Sequence, residues 1–280
     1  MRFFGARAAG SIGLAVAIMS LARPTVASAQ SRSGTPPAVG EVYGLEIGAS
    51  WWTADPLGVI TSERLGLIGS DVDFQSDLAL SATRFRELHL VVRPTTKFKI
   101  RFQYSPLKYD ASTVLERDIT FSGIVFPVSV PVNSSFDWTV WRTGVEYDFL
   151  HRSRGFLGVL VEARRTRVEA SMMTPGASLV DPAEVSITRT AWLPAIGVVA
   201  RGYVMPKLAI DVEYGGSSIP KIKNKYSGHY TDFDVHATFN LTNNFGVQGG
   251  WRKVHTFLDI EEDTGDVTFQ GPWFGAAVRY

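Results

Sequence analysis

The 280-residue chain contains no cysteine, which excludes disulfide staples, thiolate zinc sites, iron–sulfur clusters and cysteine nucleophiles. It also lacks an excess of charge of either sign. Its 28 Lys+Arg stand against 27 Asp+Glu, and a formal net charge of +1 offers no basic field for nucleic acid. After residue 29 no apolar run approaches the ~20 residues of a membrane helix. Neither G-x-S-x-G nor H-E-x-x-H occurs, so the common hydrolase and zincin signals are absent.

Residues 1–29 read as an address. Arg2 and Arg7 form a basic start, Ala8–Ala22 is apolar and small, and Ala27-Ser28-Ala29 supplies the A-x-A pattern before Gln30. That order is the signature of a cleaved secretory signal peptide; the apolar part is too short to span a bilayer. Cleavage removes three arginines and no acid, leaving the mature chain faintly acidic. Residues 30–40 (QSRSGTPPAVG) lack apolar periodicity and read as a flexible periplasmic lead-in, with the barrel itself over 41–280.

From residue 41 onward the chain alternates with period two, the mark of strands with one apolar and one polar face. Phe98, Ile100, Phe102 and Tyr104 interleave with Lys97, Lys99, Arg101 and Gln103; Phe233, Val235, Ala237 and Phe239 interleave with Asp232, Asp234, His236 and Thr238. Ten such segments are expected near 41–53, 82–93, 97–108, 137–149, 156–170, 188–203, 207–217, 228–241, 244–258 and 267–280. Eight are expected if two segments are hairpins outside the membrane. Short joints alternate with long ones at 54–81, 109–136, 171–187, 218–227 and 259–266. Short turns at one end and long loops at the other are how a barrel threads an outer membrane. Only a closed barrel lets strands survive in hydrocarbon, where an unpaired amide has no water to bond. The expected fold is therefore an all-β, transmembrane, antiparallel up-and-down β-barrel. All seven tryptophans fall within the expected strands, consistent with aromatic girdles at the two interfaces.

The last segment, VTFQGPWFGAAVRY, ends on Tyr280 with Val278, Ala276 and Phe274 on the same face. This resembles the C-terminal signature of outer-membrane barrels, which the barrel-assembly machinery recognises. RTGVEYDFL (142–150), TNNFGVQGGWR (242–252) and WFGAAVRY (273–280) look like a family of small outer-membrane barrels, OmpA- and OmpW-like. The resemblance implies a fold and an outer-membrane location but no activity. The partners it implies are outer-membrane lipid and the assembly machinery, with the chain a monomer and no cofactor.

If the apolar face meets lipid, the other lines the lumen. That lining comprises Glu46, Glu87, His89, Lys99, Arg101, Arg142, Glu146, Asp148, Glu162, Arg164, Asp211, Glu213, Asp232, Asp234, His236 and Arg252. A ten-strand barrel is barely wider than an eight-strand one, whose interior side chains fill. Paired charges closing the lumen are the first expectation, and a narrow channel for small polar solutes the second. A third comes from omptin proteases, ten-strand barrels with an Asp-x-Asp pair facing an Asp-x-His pair. Asp71-Val72-Asp73 and Asp234-Val235-His236 match those spacings. By that resemblance Asp234 and His236 would activate water, and Asp71 and Asp73 would position it. Depth argues against it: His236 lies five residues from the turn at Leu241, whereas Asp73 precedes Pro94 by 21. No catalytic site, metal site or enzyme activity is expected. His89 and His236 share a lumen level, yet neither has a second histidine at ligand spacing.

Overall fold

The computed structural model describes residues 38–63, 68–175, 184–222, 226–261 and 263–280. The expected signal peptide, the lead-in up to residue 37 and residues 64–67 of the first expected long loop lie outside them. Ten long strands form the wall: β1 (Leu45–Ser62), β3 (Thr83–Thr95), β4 (Phe98–Val114), β7 (Pro131–Arg152), β8 (Gly155–Met173), β9 (Glu184–Met205), β10 (Leu208–Ile222), β11 (Tyr226–Asn240), β12 (Phe245–Ile260) and β13 (Asp263–Arg279). Three short ones, β2 (Val72–Asp73), β5 (Ile119–Phe121) and β6 (Ile124–Phe126), belong to the loops. Each wall strand pairs antiparallel with the next, and β13 pairs back onto β1 from Glu46–Arg279 to Ser62–Asp263. The wall thus has ten strands, not eight.

The register fixes the barrel's shape. Following Cα partners once round from Leu45, through Val92, Ile100, Val145, Val161, Ile196, Gly216, Thr231, His255 and Thr268, returns to β1 at Leu57. That is a stagger of twelve residues. With ~3.3 Å rise and ~4.8 Å between strands, it corresponds to a tilt of about 40° and a backbone radius of roughly 10 Å. Side chains from opposite walls therefore meet on the axis.

The strands are far longer than a bilayer requires, reaching 22 residues in β7 and β9. All five of the expected long loops consequently shrink as the strands run on to Ser62, Val114, Met173, Ile222 and Ile260, and β7, β9 and β13 begin early at Pro131, Glu184 and Asp263. On each long strand the outward face changes character partway up. Along β4, Phe98, Ile100, Phe102 and Tyr104 face out and then give way to Lys108, Asp110 and Ser112; β7 runs from Phe149, Tyr147, Val145 and Trp141 to Asp137, Ser135 and Asn133. The inward face changes in the opposite sense at the same height. Below are Arg142, Glu146 and Asp148; above are Trp138, Phe136 and Val132. Along β12 the switch lies between Trp251–Arg252 and Lys253–Val254.

The lower half thus carries an apolar belt of about nine residues per strand, roughly 20–25 Å tall at this tilt, the height of a membrane barrel's lipid-facing band. The upper half is built like a water-soluble barrel. Its outer wall is polar, so only inward burial of apolar surface can hold it together. Trp52, Phe85, Leu107, Tyr109, Phe136, Trp138, Tyr230 and Phe269 form that core. Phe269 stacks on Tyr109 at 5.9 Å and meets Trp138 edge-on at 5.2 Å.

The loops complete the core. Asp73 accepts the Gln75 and Ser76 N–H groups at 2.9 and 2.8 Å, and the turn this fixes drops Phe74, Leu78 and Leu80 into the mouth. The β5–β6 hairpin packs over the barrel mouth. Ser122 N–H donates to the Ser62 carbonyl and Ser70 N–H to that of Thr120, and Phe121 and Phe126 are fully buried in the same core. Arg117 clamps the two loops by donating to both Asp77 oxygens at 3.0 and 2.6 Å.

The packing can be probed at two points. Phe269→Ala removes a ring from the centre of the upper core, and urea unfolding in lipid vesicles is expected to show a loss of about 3–5 kcal/mol. Burial pushes the Asp77 carboxyl up, but the hydrogen bonds from Arg117 and from Asp73 N–H outweigh it and hold the group below the ordinary carboxylate range. The clamp's contribution is therefore complete above about pH 4 and disappears as pH falls through the depressed value. Hydrogen exchange over residues 74–80 should be slower in wild type than in Arg117→Gln protein at neutral pH, and the two should converge at the acid end.

Candidate functional site

Polar groups dominate the lower half of the interior. All sixteen lumen residues expected from the sequence point inward there, because alternation gives each the same parity on its strand. Four more charged groups join them. Arg93 continues the Glu87–His89 parity of β3, Arg201 faces in from β9, Arg279 lies opposite the outward Val278 and Tyr280, and Glu41 precedes β1. Parity alone identifies the three arginines; Glu41 has no strand pattern to place it.

The pairings link strands distant in sequence. Arg101 of β4 reaches Glu146 at 3.0 Å and Glu213 of β10 at 2.6 Å. Arg142 contacts Glu162, Glu213 and Asp232 at 2.9, 2.5 and 3.3 Å. Arg252 spans the lumen from Asp232 at 2.8 Å to Glu87 of β3 at 3.0 Å. Lys99 bridges Glu146 and Asp148, and Arg164 joins Glu162 to Asp232. Asp232 therefore serves three guanidinium groups at once. His236 lies between Asp234, 2.5 Å from Nδ1, and Asp211, 3.4 Å from Nε2; Trp273 Nε1 donates to Asp234 at 2.7 Å. His89 meets Glu46 at 3.7 Å, its ring flat against β1 at Gly48, where any Cβ would come within 2.0 Å of the imidazole.

The two layers of filling are joined by stacking. Arg252 lies 5.0 Å from the Trp52 ring and Arg164 4.0 Å from that of Tyr230, so each cation's upper face meets an aromatic of the core above. A polar cavity of about 160 Å³ remains below, bordered by Glu46, His89, Arg101, Glu213, Asp234 and His236, with room for several waters.

The short-turn end is crossed by residues 38–44. Ala38–Gly40, expected to be free lead-in, are tied to the wall opposite β1: Ala38 N–H donates to Ser153 O, Val39 N–H to Pro206 O, and Asn240 Nδ2 to Val39 O at 2.7 Å. Glu41 accepts from Tyr203 at 3.0 Å and pairs with Arg93 and Arg201 at 3.3 and 3.6 Å. Tyr43 lies between the guanidinium groups of Arg93 and Arg279, 5.2 and 5.6 Å from its ring. Wall carbonyls, Asn240 and the guanidinium groups of Arg93, Arg201 and Arg279, not a chain signal, turn this segment into a strap.

The two Asp/His pairs are not brought together. Asp73 pairs with Val59, fourteen residues up β1 from Leu45, while His236 is four residues from the lower end of β11 at Asn240. The ten-residue difference is roughly 25 Å of height. Asp73 caps a turn and Asp71 accepts the Thr61 hydroxyl at 2.6 Å. One His-x-Ser spacing, His151-Arg152-Ser153, escapes the sequence reading although lipid A deacylase barrels use a closely spaced His and Ser. It lies at the β7–β8 turn, where the Ser153 carbonyl holds the strap. No cluster of three or more potential metal ligands occurs among the described residues.

On the outside, Phe274, Ala276, Val278 and Tyr280 line one face of the last strand, with Tyr280 71% exposed. Trp51, Trp141, Trp192 and Trp251 stand at the top of the belt, whereas Trp52, Trp138 and Trp273 point inward, so the seven divide between girdle and interior.

A closed, tilted ten-strand wall with this belt defines the outer-membrane class of β-barrel. No protein-family model and no curated protein matches the chain in sequence. Among solved structures it is similar to the outer membrane protease OmpT from Escherichia coli, with a TM-score of 0.56 at 11% identity over 84% of this chain and 96% of that one. The likeness is one of fold. Weaker matches are Ail, the attachment invasion locus protein of Yersinia pestis (TM-score 0.36, 11% identity, 85% of this chain and all of that one), and outer membrane protein AlkL (0.37, 11%, 90% and 95%).

Removing Asp232 tests the network. Asp232→Ala leaves Arg142, Arg164 and Arg252 short of a shared counter-charge and is expected to cost about 3–5 kcal/mol in urea unfolding. Glu169→Gln, which breaks the exposed pair with Arg167, should change stability by less than ~1 kcal/mol.

Proposed function

We propose that this chain is an integral outer-membrane protein of the small-barrel kind, with a structural or surface-interaction role and neither transport nor catalysis. One observation carries this reading: the interior is obstructed at three successive levels, by the strap, the ion-paired layer and the apolar core, with the polar cavity of about 160 Å³ lying beneath the core. A solute would have to break the Asp232 network and pass a core containing Phe136, Trp138 and Phe269. The loop end, on this reading extracellular, is a rigid pedestal standing some ten residues of strand above the lipid belt. Such a scaffold suits presentation of loops to a partner. The short-turn end is then periplasmic, and the outward face Phe274–Tyr280 is what the assembly machinery would engage.

Planar-bilayer recording of the refolded protein tests the closed lumen. The expected outcome is a folded barrel without unitary current steps at any salt concentration. Steady steps that scale with salt would instead favour the channel reading and make the lumen charges its selectivity residues.

A further inference from the structure

We propose that Arg165, with Trp141 and Trp192 on either side, forms a binding site for the phosphate of a lipid headgroup on the barrel's outer wall. The site is a product of register. Arg165 of β8 is the cross-strand partner of Trp141 on β7 and of Trp192 on β9, so the three side chains stand in one row facing outward. Between the indoles is a groove of about 360 Å³, lined by these three residues with Thr143 and Ala163. Ala163, two residues below Arg165 and directly opposite Thr143, is short enough to leave the depression open.

Among the described residues the cation in this groove has no counter-charge. Some cations of the outer wall are matched: Arg167 pairs with Glu169, Lys108 with Asp110 and Asp137, and His255 with Asp266. Arg84, Arg86 and Lys253, like Arg165, have no carboxylate within 4 Å among the described residues; what sets Arg165 apart is the groove between two indoles. Arg165 has no carboxylate within 4 Å among the described residues, although it lies on the same strand face as Glu169. A guanidinium offers a planar fork of donors suited to phosphate, and the Thr143 hydroxyl adds a further donor or acceptor in the groove.

Position selects a lipid over a free anion. Arg165 is the first charged residue above the outward Leu157, Val159, Val161 and Ala163, hence at the headgroup level of the leaflet nearest the loop end. Beneath the groove, Val145, Val161 and Ile196 are themselves a cross-strand row and are 42%, 59% and 67% exposed. A lipid can place its phosphate on Arg165, its sugar or glycerol against the indoles and an acyl chain along that row. A free phosphate uses only the first contact.

The inference rests on the chain lying in a bilayer, which heat-modifiable gel migration and co-sedimentation with vesicles report independently. The test is native mass spectrometry of the folded full barrel in detergent, titrated with lipid A and with its dephosphorylated counterpart. Wild-type protein should favour the phosphorylated lipid by about tenfold or more, the scale of one charge-assisted contact. Arg165→Gln should abolish that preference, Arg165→Lys should keep part of it, and Lys253→Gln, a cation elsewhere on the outer wall, should leave it unchanged. Trp192→Ala should weaken both lipids alike. Equal retention of the two lipids by wild type, or an undiminished preference in folded Arg165→Gln, overturns the proposal. Displacement of lipid A by millimolar inorganic phosphate also overturns it, by making the groove a free-anion site.

Discussion

Closure of β1 onto β13 is the contact on which the rest depends. Fifteen cross-strand partners, from Glu46–Arg279 to Ser62–Asp263, remove the two edges that an open sheet would expose to hydrocarbon. Closure also sets the geometry inside. Ten strands with a stagger of twelve residues give a radius at which opposing side chains touch, so every inward residue must be compatible with the residue across the axis as well as with its neighbours. Arg252–Glu87 and Arg101–Glu213 exist because the wall brings β12 to face β3 and β4 to face β10.

The second constraint is the change of solvent along the strand. Where the outer face meets lipid, apolar burial between wall and lumen gains little, and the interior carries charges that satisfy one another. Above that level the outer face meets water, and the hydrophobic effect again favours an apolar interior. The adjacent apolar pairs Trp51-Trp52, Val140-Trp141 and Trp192-Leu193 mark the switch, one member facing out at the top of the belt and the other facing the core. The cation–aromatic contacts of Arg252 with Trp52 and Arg164 with Tyr230 lie where the two interiors meet. An ion-paired layer beneath an aromatic one, with the strap below both, closes the cylinder at three levels around one polar cavity.

Much of this was legible in the chain. The strand count, the antiparallel order and the sixteen lumen residues come from period-two alternation, since parity decides in or out without knowledge of partners. The strand ends were not legible. Above the belt the apolar parity reverses, so a reading that tracks one apolar face stops at Thr53 or Lys108 and assigns the remainder to loops, although β1 and β4 run on to Ser62 and Val114. The strap was hidden for a different reason. Pro36, Pro37 and Gly40 suggest a linker, and only the far wall's Ser153, Pro206 and Asn240 give Ala38 and Val39 their hydrogen bonds. The likeness of Asp71–Asp73 and Asp234–His236 to a protease pattern was a matter of spacing, which carries no height.

By itself, the sequence determined which side of the wall each strand residue occupies, because a strand's geometry fixes that locally at every second position. Which charge meets which, where the interior turns from ionic to aromatic, and that Arg165 stands between Trp141 and Trp192 were decided only by the tertiary structure. Those facts depend on register, stagger and closure, which join residues more than a hundred positions apart, and no local pattern encodes a distance across the barrel.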